Sequence, residues 1–169
     1  MSTVNNIDLE KAFIDLLENN KRLIFKIASA YEYNPEFRKD LIQDIIIQLW
    51  KAFPNFDNKH AVSTWIYRIA LNVSISWLRK EKSRKKTHTS YAQDFIIETE
   101  TENQNEKMKL LYKFLNELKE LDKAIMILRL EGLNNEEISN IMGISTSNVS
   151  TKVNRIKNTL SEKFKKINT

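Results

Sequence analysis

Residues 134–160 read Asn134-Asn135-Glu136-Glu137-Ile138-Ser139-Asn140-Ile141-Met142-Gly143-Ile144-Ser145-Thr146-Ser147-Asn148-Val149-Ser150-Thr151-Lys152-Val153-Asn154-Arg155-Ile156-Lys157-Asn158-Thr159-Leu160. Asn134 with Glu137 three residues on is close to a capping box, in which a side-chain acceptor and a carboxylate each satisfy a backbone N–H at a helix start. Ile138, Ile141 and Met142 give the short helix that follows an apolar side. Gly143 then stands where the chain needs a left-handed turn, which glycine adopts without strain. Ile144 fills the corner and Ser145 caps a second helix, whose stripe Val149, Val153, Ile156 and Leu160 recurs at spacings of four, three and four. This is the helix-turn-helix pattern. Its outer face keeps Thr146, Ser147, Asn148, Ser150, Thr151, Lys152, Asn154 and Arg155, with Lys157 close by. Short polar groups and cations of this kind suit base edges and phosphates in a major groove. A plain helical hairpin with a polar face is the bland alternative, and the cap and glycine spacing weighs against it.

Both glycines of the 169-residue chain, Gly132 and Gly143, end helices in this part, and there are only two prolines. So few glycines exclude a Gly-rich phosphate loop or dinucleotide fingerprint, and an all-β fold with many tight turns is disfavoured. The chain has no cysteine, which excludes disulfides, a thiolate nucleophile and Cys-ligated zinc. The apolar runs are too short to cross a bilayer and the N-terminus lacks a signal-peptide core, so a soluble, cytoplasmic protein is expected.

Charge divides the chain. The net charge is +5, but residues 92–106 carry five acids and no Lys or Arg, while the segments before and after each carry +5. An aperiodic acidic block between two basic helical segments reads as a flexible linker. The expected organisation is all-α, with two small helical domains over 1–86 and 108–169 joined by an acidic linker over 87–107. A single domain with a long surface loop is the other reading, and a structureless loop of that length argues against it.

The first domain reads as three helices. From Asp8 to Tyr33, Leu9, Phe13, Leu16, Leu17, Leu23, Ile24, Ile27 and Tyr31 recur at helical spacing. A second helix opens at Asn34-Pro35 and runs to about Phe53, before Pro54. Its Leu41, Ile42, Ile45, Ile46, Ile47, Leu49 and Trp50 spread beyond one core stripe. Either the helix is buried on two sides, or part of it docks another protein. A third helix from Ser63 to Lys80 has a core stripe of Ile66, Ile69, Ala70, Val73 and Trp77 and a polar face of Arg68, Asn72, Ser76 and Arg79. Trp65 and Tyr67 stand at its start, and the basic run Arg79, Lys80, Lys82, Arg84, Lys85 and Lys86 leaves its end. Rings that can stack on an unpaired base, joined to cations that neutralise phosphates, point to nucleic acid, against the usual reading of a solvated charged face.

Taken in order, these segments resemble the sigma-70 superfamily of bacterial RNA polymerase sigma factors, in particular the compact extracytoplasmic-function (ECF) group that keeps only regions two and four. Asp40-Leu41-Ile42-Gln43-Asp44 through Leu49-Trp50 resembles the polymerase-docking helix, Ser63 to Asn72 the −10 promoter helix, and Leu128-Arg129-Leu130-Glu131-Gly132-Leu133 with the helix-turn-helix the −35 module. The resemblance implies that Asp40, Gln43, Asp44, Gln48, Leu49 and Trp50 grip the coiled coil of the polymerase's largest subunit, and that the polymerase flap is a further contact. It implies that the Phe56–Val62 loop with Trp65, Arg68, Asn72, Arg79 and Lys80 holds the melted −10 strand. Thr146, Ser147, Asn148, Ser150, Thr151, Lys152, Asn154, Arg155 and Lys157 would face −35 DNA, and the linker would thread the polymerase. An anti-sigma factor, often membrane-bound in this group, is implied as a partner.

Two departures stand out. Housekeeping members have two adjacent tryptophans where this chain has Trp65-Ile66, so a weaker melting wedge is expected. Many relatives have Leu-Pro where this chain has Leu121-Asp122, and Asp122 is expected to cap the helix that follows. His60 and His88 are isolated and no acid–base pair is recognisable, so neither catalysis, a metal, a cofactor nor a small-molecule substrate is expected. The alternatives are a stand-alone, dimeric helix-turn-helix regulator with an N-terminal sensing domain, and a helical adaptor that binds protein only.

Overall fold

The computed structural model describes residues 2–87 and 105–167, and every regular element among them is helical. The helices are α1 (Ser2–Tyr31), α2 (Pro35–Ala52), α3 (Val62–Thr87), α4 (Asn105–Glu117), α5 (Glu120–Leu130), α6 (Asn135–Met142) and α7 (Thr146–Ile167), with a 3-10 turn at Phe53–Asn55. They fall into two compact units, α1–α3 and α4–α7. Most of the acidic segment expected as a linker over 87–107 lies outside the described residues.

In the first unit, Asn34 caps α2 as its sequence suggests. Its Oδ1 accepts from the backbone N–H groups of Glu36 at 2.9 Å and Phe37 at 3.4 Å, and Pro35 occupies the first turn, where no donor is missed. The core joins Phe13, Ile24, Ile27, Ala28 and Tyr31 of α1 to Leu41, Ile45 and Leu49 of α2 and Ile66, Ala70, Leu71 and Ile75 of α3. The crowded α2 is buried on more than one stripe and leaves part of its apolar set uncovered. Leu41, Ile45 and Leu49 are fully buried, Ile42, Ile46 and Trp50 are half-buried, and Ile47 alone of that set stays exposed.

Helix α3 differs from expectation in two ways. It continues to Thr87, seven residues past Lys80, so the basic run that follows Lys80 belongs to the helix. Its buried arc is also rotated: Tyr67, Leu71, Ser74 and Ile75 are buried with Ile66 and Ala70, whereas Ile69, Val73 and Trp77 are half-buried. Packing against both α1 and α2 widens the arc beyond a single stripe. Trp77 instead donates its indole N–H to Glu32 Oε2 at 3.0 Å.

The second unit is built around α5. Residues Asp122 to Leu128 are buried all round, because α4, α6 and α7 each pack on this helix. Leu115, Met126 and Ile156 meet at its centre, with Leu111, Tyr112, Leu118 and Leu160 around them.

Candidate nucleic-acid interface

The helix-turn-helix forms as its residues dictate. Asn134 Oδ1 accepts from the Glu137 backbone N–H at 2.9 Å, and Glu137 Oε2 accepts from the Asn134 N–H at 2.8 Å, which completes the capping box. Gly143 ends α6 at φ 68°, in the left-handed region. Ser145 Oγ accepts from the Asn148 N–H at 3.1 Å and starts α7. Val149, Val153 and Ile156 are buried against α5 and α6, which fixes the rotation of α7. At about 100° per residue, Ser147, Thr151 and Asn154 then point directly away from the core. Asn158, absent from the expected set, shares that direction and is exposed. Thr146, Asn148 and Lys157 are exposed on the shoulders, and Ser150 is half-buried. No carboxylate occurs between Glu137 and Glu162, so the helix offers phosphates no repulsion along its first four turns.

Lys152 and Arg155 behave differently from the rest. Both reach back to Asp122 on α5, Lys152 Nζ to Oδ1 at 3.3 Å and Arg155 Nη2 to Oδ2 at 2.6 Å. Asp122 therefore does not cap α5. The N-cap residue is Lys119, which makes no side-chain cap bond. Two cations from α7 are better partners for a carboxylate that is 10% exposed than the N–H groups of its own helix.

In the first unit, a chain of rings runs from α2 to the start of α3. Trp50 packs on Phe13 at 5.0 Å, Phe13 on Phe53 at 5.2 Å, Phe53 on Trp65 at 6.3 Å and Trp65 on Phe56 at 4.8 Å. Trp65 is thus a half-buried wall rather than a free wedge, and Tyr67 is buried in the core. Phe56, Asp57, Lys59, His60, Trp65 and Arg68 line a cavity of about 240 Å³ between the loop and α3. The loop is shaped by Asp57, whose Oδ1 accepts from the Lys59 N–H at 3.1 Å and whose Oδ2 pairs with the Lys59 ammonium at 3.1 Å, and by Asn58 at φ 56°. Those two Lys59 contacts, the backbone one first, hold the Asp57 carboxyl below its ordinary value of 3.8, with a smaller contribution from His60.

The docking set divides. Asp40, Gln43, Asp44 and Gln48 are exposed, and Ile47, unassigned from sequence, lies among them. Leu49 is a correction: at 0% exposure it is a core residue that faces α1 and α3 and cannot touch another protein. Trp50 offers only the part of its ring that Phe13 leaves uncovered. Asp44 and Gln48 also share a groove of about 550 Å³ with Asn72 and Lys80, floored by Ile69, Val73 and Trp77. The docking and −10 sets, read separately from sequence, therefore meet across one groove. Arg68 is half-buried beside the loop, and Arg79 is exposed farther along α3.

Comparison with known proteins agrees with this geometry. The Sigma-70 region 2 model matches residues 16–84 and the Sigma-70 region 4 model matches residues 108–160. The RNA polymerase sigma factor YlaC of Bacillus subtilis is 31% identical over 130 residues, covering 71% of this chain and 73% of YlaC. SigV of the same organism is 28% identical over 145 residues, covering 84% of each chain. The chain belongs to the sigma-70 superfamily. Its relatives include the ECF RNA polymerase sigma factor SigW of Bacillus subtilis, 26% identical over 168 residues and covering 86% of this chain and 85% of SigW. Among solved structures, the sigma factor RpoE of Bartonella quintana, in complex with the anti-sigma factor NepR, has the same fold at a TM-score of 0.70 and 20% identity, covering 94% of this chain and 97% of RpoE. This ECF-type sigma factor directs promoter-specific initiation by RNA polymerase. The region 2 match takes in α2, the loop and α3, and the region 4 match ends at Leu160 on α7.

Proposed function

We propose that the exposed side of α2, with Asp40, Gln43, Asp44, Ile47, Gln48 and the free part of Trp50, docks the coiled coil of the polymerase's largest subunit. The loop cavity with Trp65 and Arg68, and α3 with Asn72, Arg79 and Lys80, hold the melted −10 strand. The outer face of α7 reads the −35 element. The observation that carries this reading is the pairing of two unlike surfaces in one chain. One is a convex helix with no carboxylate in its first four turns, suited to a duplex groove, and the other is a concave, ring-walled cavity suited to a base taken out of the stack. Two weak contacts joined in one chain gain affinity through effective concentration, so both elements must sit at the correct spacing.

The polymerase supplies the bond-making chemistry in this reading, and the sigma factor supplies positioning alone. No helix among the described residues is long and apolar enough to cross a membrane, and the place of work proposed is the cytoplasm, with the polymerase. The complex of RpoE with NepR motivates an anti-sigma factor as a partner that keeps the protein inactive.

In vitro transcription with core polymerase on a randomised promoter library tests the whole reading. Transcripts enriched for paired −10 and −35 elements at one spacing are expected, and Asp44→Arg is expected to reduce capture of core enzyme at least tenfold. Binding to symmetric duplex DNA without polymerase would instead indicate a stand-alone regulator.

A further inference from the structure

We propose that Asp122 is a positioning residue for recognition of the upstream promoter element, holding Arg155 and Lys152 in a fixed orientation before the duplex arrives. The inference rests on the assignment of α7 to the −35 element. Asp122 sits at the start of α5, 30 and 33 residues away in sequence from its two partners, so the contact is tertiary rather than a local helix pair. Each carboxylate oxygen serves one cation. Lys123, next in sequence and 2% exposed, donates instead to Asn116 at 2.8 Å. The Arg155 side chain keeps 59% of its surface exposed, with one nitrogen, Nη2, on Asp122.

Two consequences follow from charge and entropy. An arginine already pinned loses less rotamer freedom when it meets a base edge, which favours the specific complex. A carboxylate shared by two cations also lowers the net positive charge of that flank, which weakens sequence-independent attraction to phosphates. The first effect raises the ratio of matched to mismatched binding, and the second lowers the occupancy of both. A residue that only stapled α5 to α7 would affect matched and mismatched DNA alike, and one that only damped charge would leave their ratio unchanged.

The test uses holoenzyme reconstituted from core polymerase and the full chain, on a promoter recovered from library transcription and on the same promoter with its −35 element scrambled. Occupancy of each is measured as a function of salt. Asp122→Asn keeps the shape and removes the charge. It is expected to lower the matched-to-scrambled ratio about tenfold, within the range that one base contact discriminates. Occupancy of the scrambled template at low salt should rise, and the log–log salt slope should steepen by about one. Asp122→Asn combined with Arg155→Ala should lose no more discrimination than Arg155→Ala alone, because the two act through one contact.

Additive losses, or an unchanged ratio in Asp122→Asn while Arg155→Ala lowers it, would overturn the proposal and leave the −35 assignment standing. An unchanged ratio in Arg155→Ala would remove that residue's −35 assignment and the proposal together. If Asp122→Asn fails to fold, nitrogen NMR of the unmodified full chain decides. Slow guanidinium rotation at Arg155, compared with exposed Arg22, supports the anchor, and equal rotation contradicts it.

Discussion

Helix α7 and the loop cavity of the first unit, proposed to meet the −35 and −10 elements, are built in opposite ways. Helix α7 is a rod: its apolar stripe is seated on α5 and α6, its start is fixed by Ser145, and its outward residues Ser147, Thr151 and Asn154 follow from periodicity alone. The cavity is a hollow, assembled from a loop with a left-handed Asn58 and the start of α3, and backed by the rings of Phe13 and Phe53 behind Trp65. A regular duplex groove can be read by a regular element. An unpaired base needs a concavity, which no single helix provides.

If the hollow depends on the ring chain, its weakest link lies far from any nucleotide. Phe13 is 5% exposed and touches both Trp50 and Phe53. Phe13→Ala is expected to destabilise the first unit by about 3–5 kcal/mol, the usual cost of truncating a buried aromatic. Thermal unfolding of the full chain followed by indole fluorescence checks this, since all three tryptophans lie in that unit. Promoter melting should suffer while discrimination at the −35 element is preserved in the protein that remains folded. Equal damage to both would mean that the two surfaces are not built separately. The same packing means that Trp50→Ala cannot be treated as a clean docking mutant, because its ring is part of the core.

The rod makes the reverse prediction. Asn154 is exposed and outward-facing, so Asn154→Ala should leave stability within about 0.5 kcal/mol. It should nevertheless weaken recognition of the upstream element by about 1–3 kcal/mol. Transcription from templates with matched and substituted −35 bases measures it, and an unchanged preference would take Asn154 off the reading face.

Gly143→Ala addresses the corner of the rod rather than its face. A Cβ there would meet nothing within 4 Å, so the cost is the left-handed backbone at φ 68° alone. About 1–2 kcal/mol of destabilisation is expected, and Gly143→Asn should cost less, because Asn tolerates this conformation. Urea unfolding of the full chain resolves the order, and equal losses for the two variants would point to a steric cause instead.

The same contrast explains what could be read from the residues. Capping, glycine turns and helical stripes are local, and Asn134, Gly143 and Asn34 did in the structure what their neighbours in sequence required. Leu49 was misplaced because α2 packs on two partners, and periodicity shows how wide an apolar arc is without showing which part is covered. The stripe of α3 was misjudged for the same reason, with Val73 and Trp77 at a groove and Leu71 and Ile75 in the core. The cap expected of Asp122 was the nearest local use for a carboxylate, and its actual partners are 30 and 33 residues away, beyond what local patterning shows. Ile47 and Asn158 carried a signal that was available: each repeats the face of neighbours already singled out, at spacings of three or four.

The smallest effect expected belongs to the loop that closes the hollow. Asp57 is exposed, and its carboxyl is held below 3.8 by the Lys59 backbone N–H and then by the Lys59 ammonium. A group whose value is lowered by folding stabilises the fold above its unfolded value and loses that contribution as pH falls through the folded one. The loop should therefore be insensitive to Asp57 titration between about pH 6 and 8 and should loosen only below 3.8. The Lys59 amide proton followed by NMR should titrate with a midpoint under 3.8. Asp57→Asn, which keeps an acceptor for that N–H, should disturb the loop less than Asp57→Ala. If the two variants are equivalent, the ammonium contact rather than the backbone bond shapes the loop, and the hollow would then become salt-sensitive where the rod's corner is not.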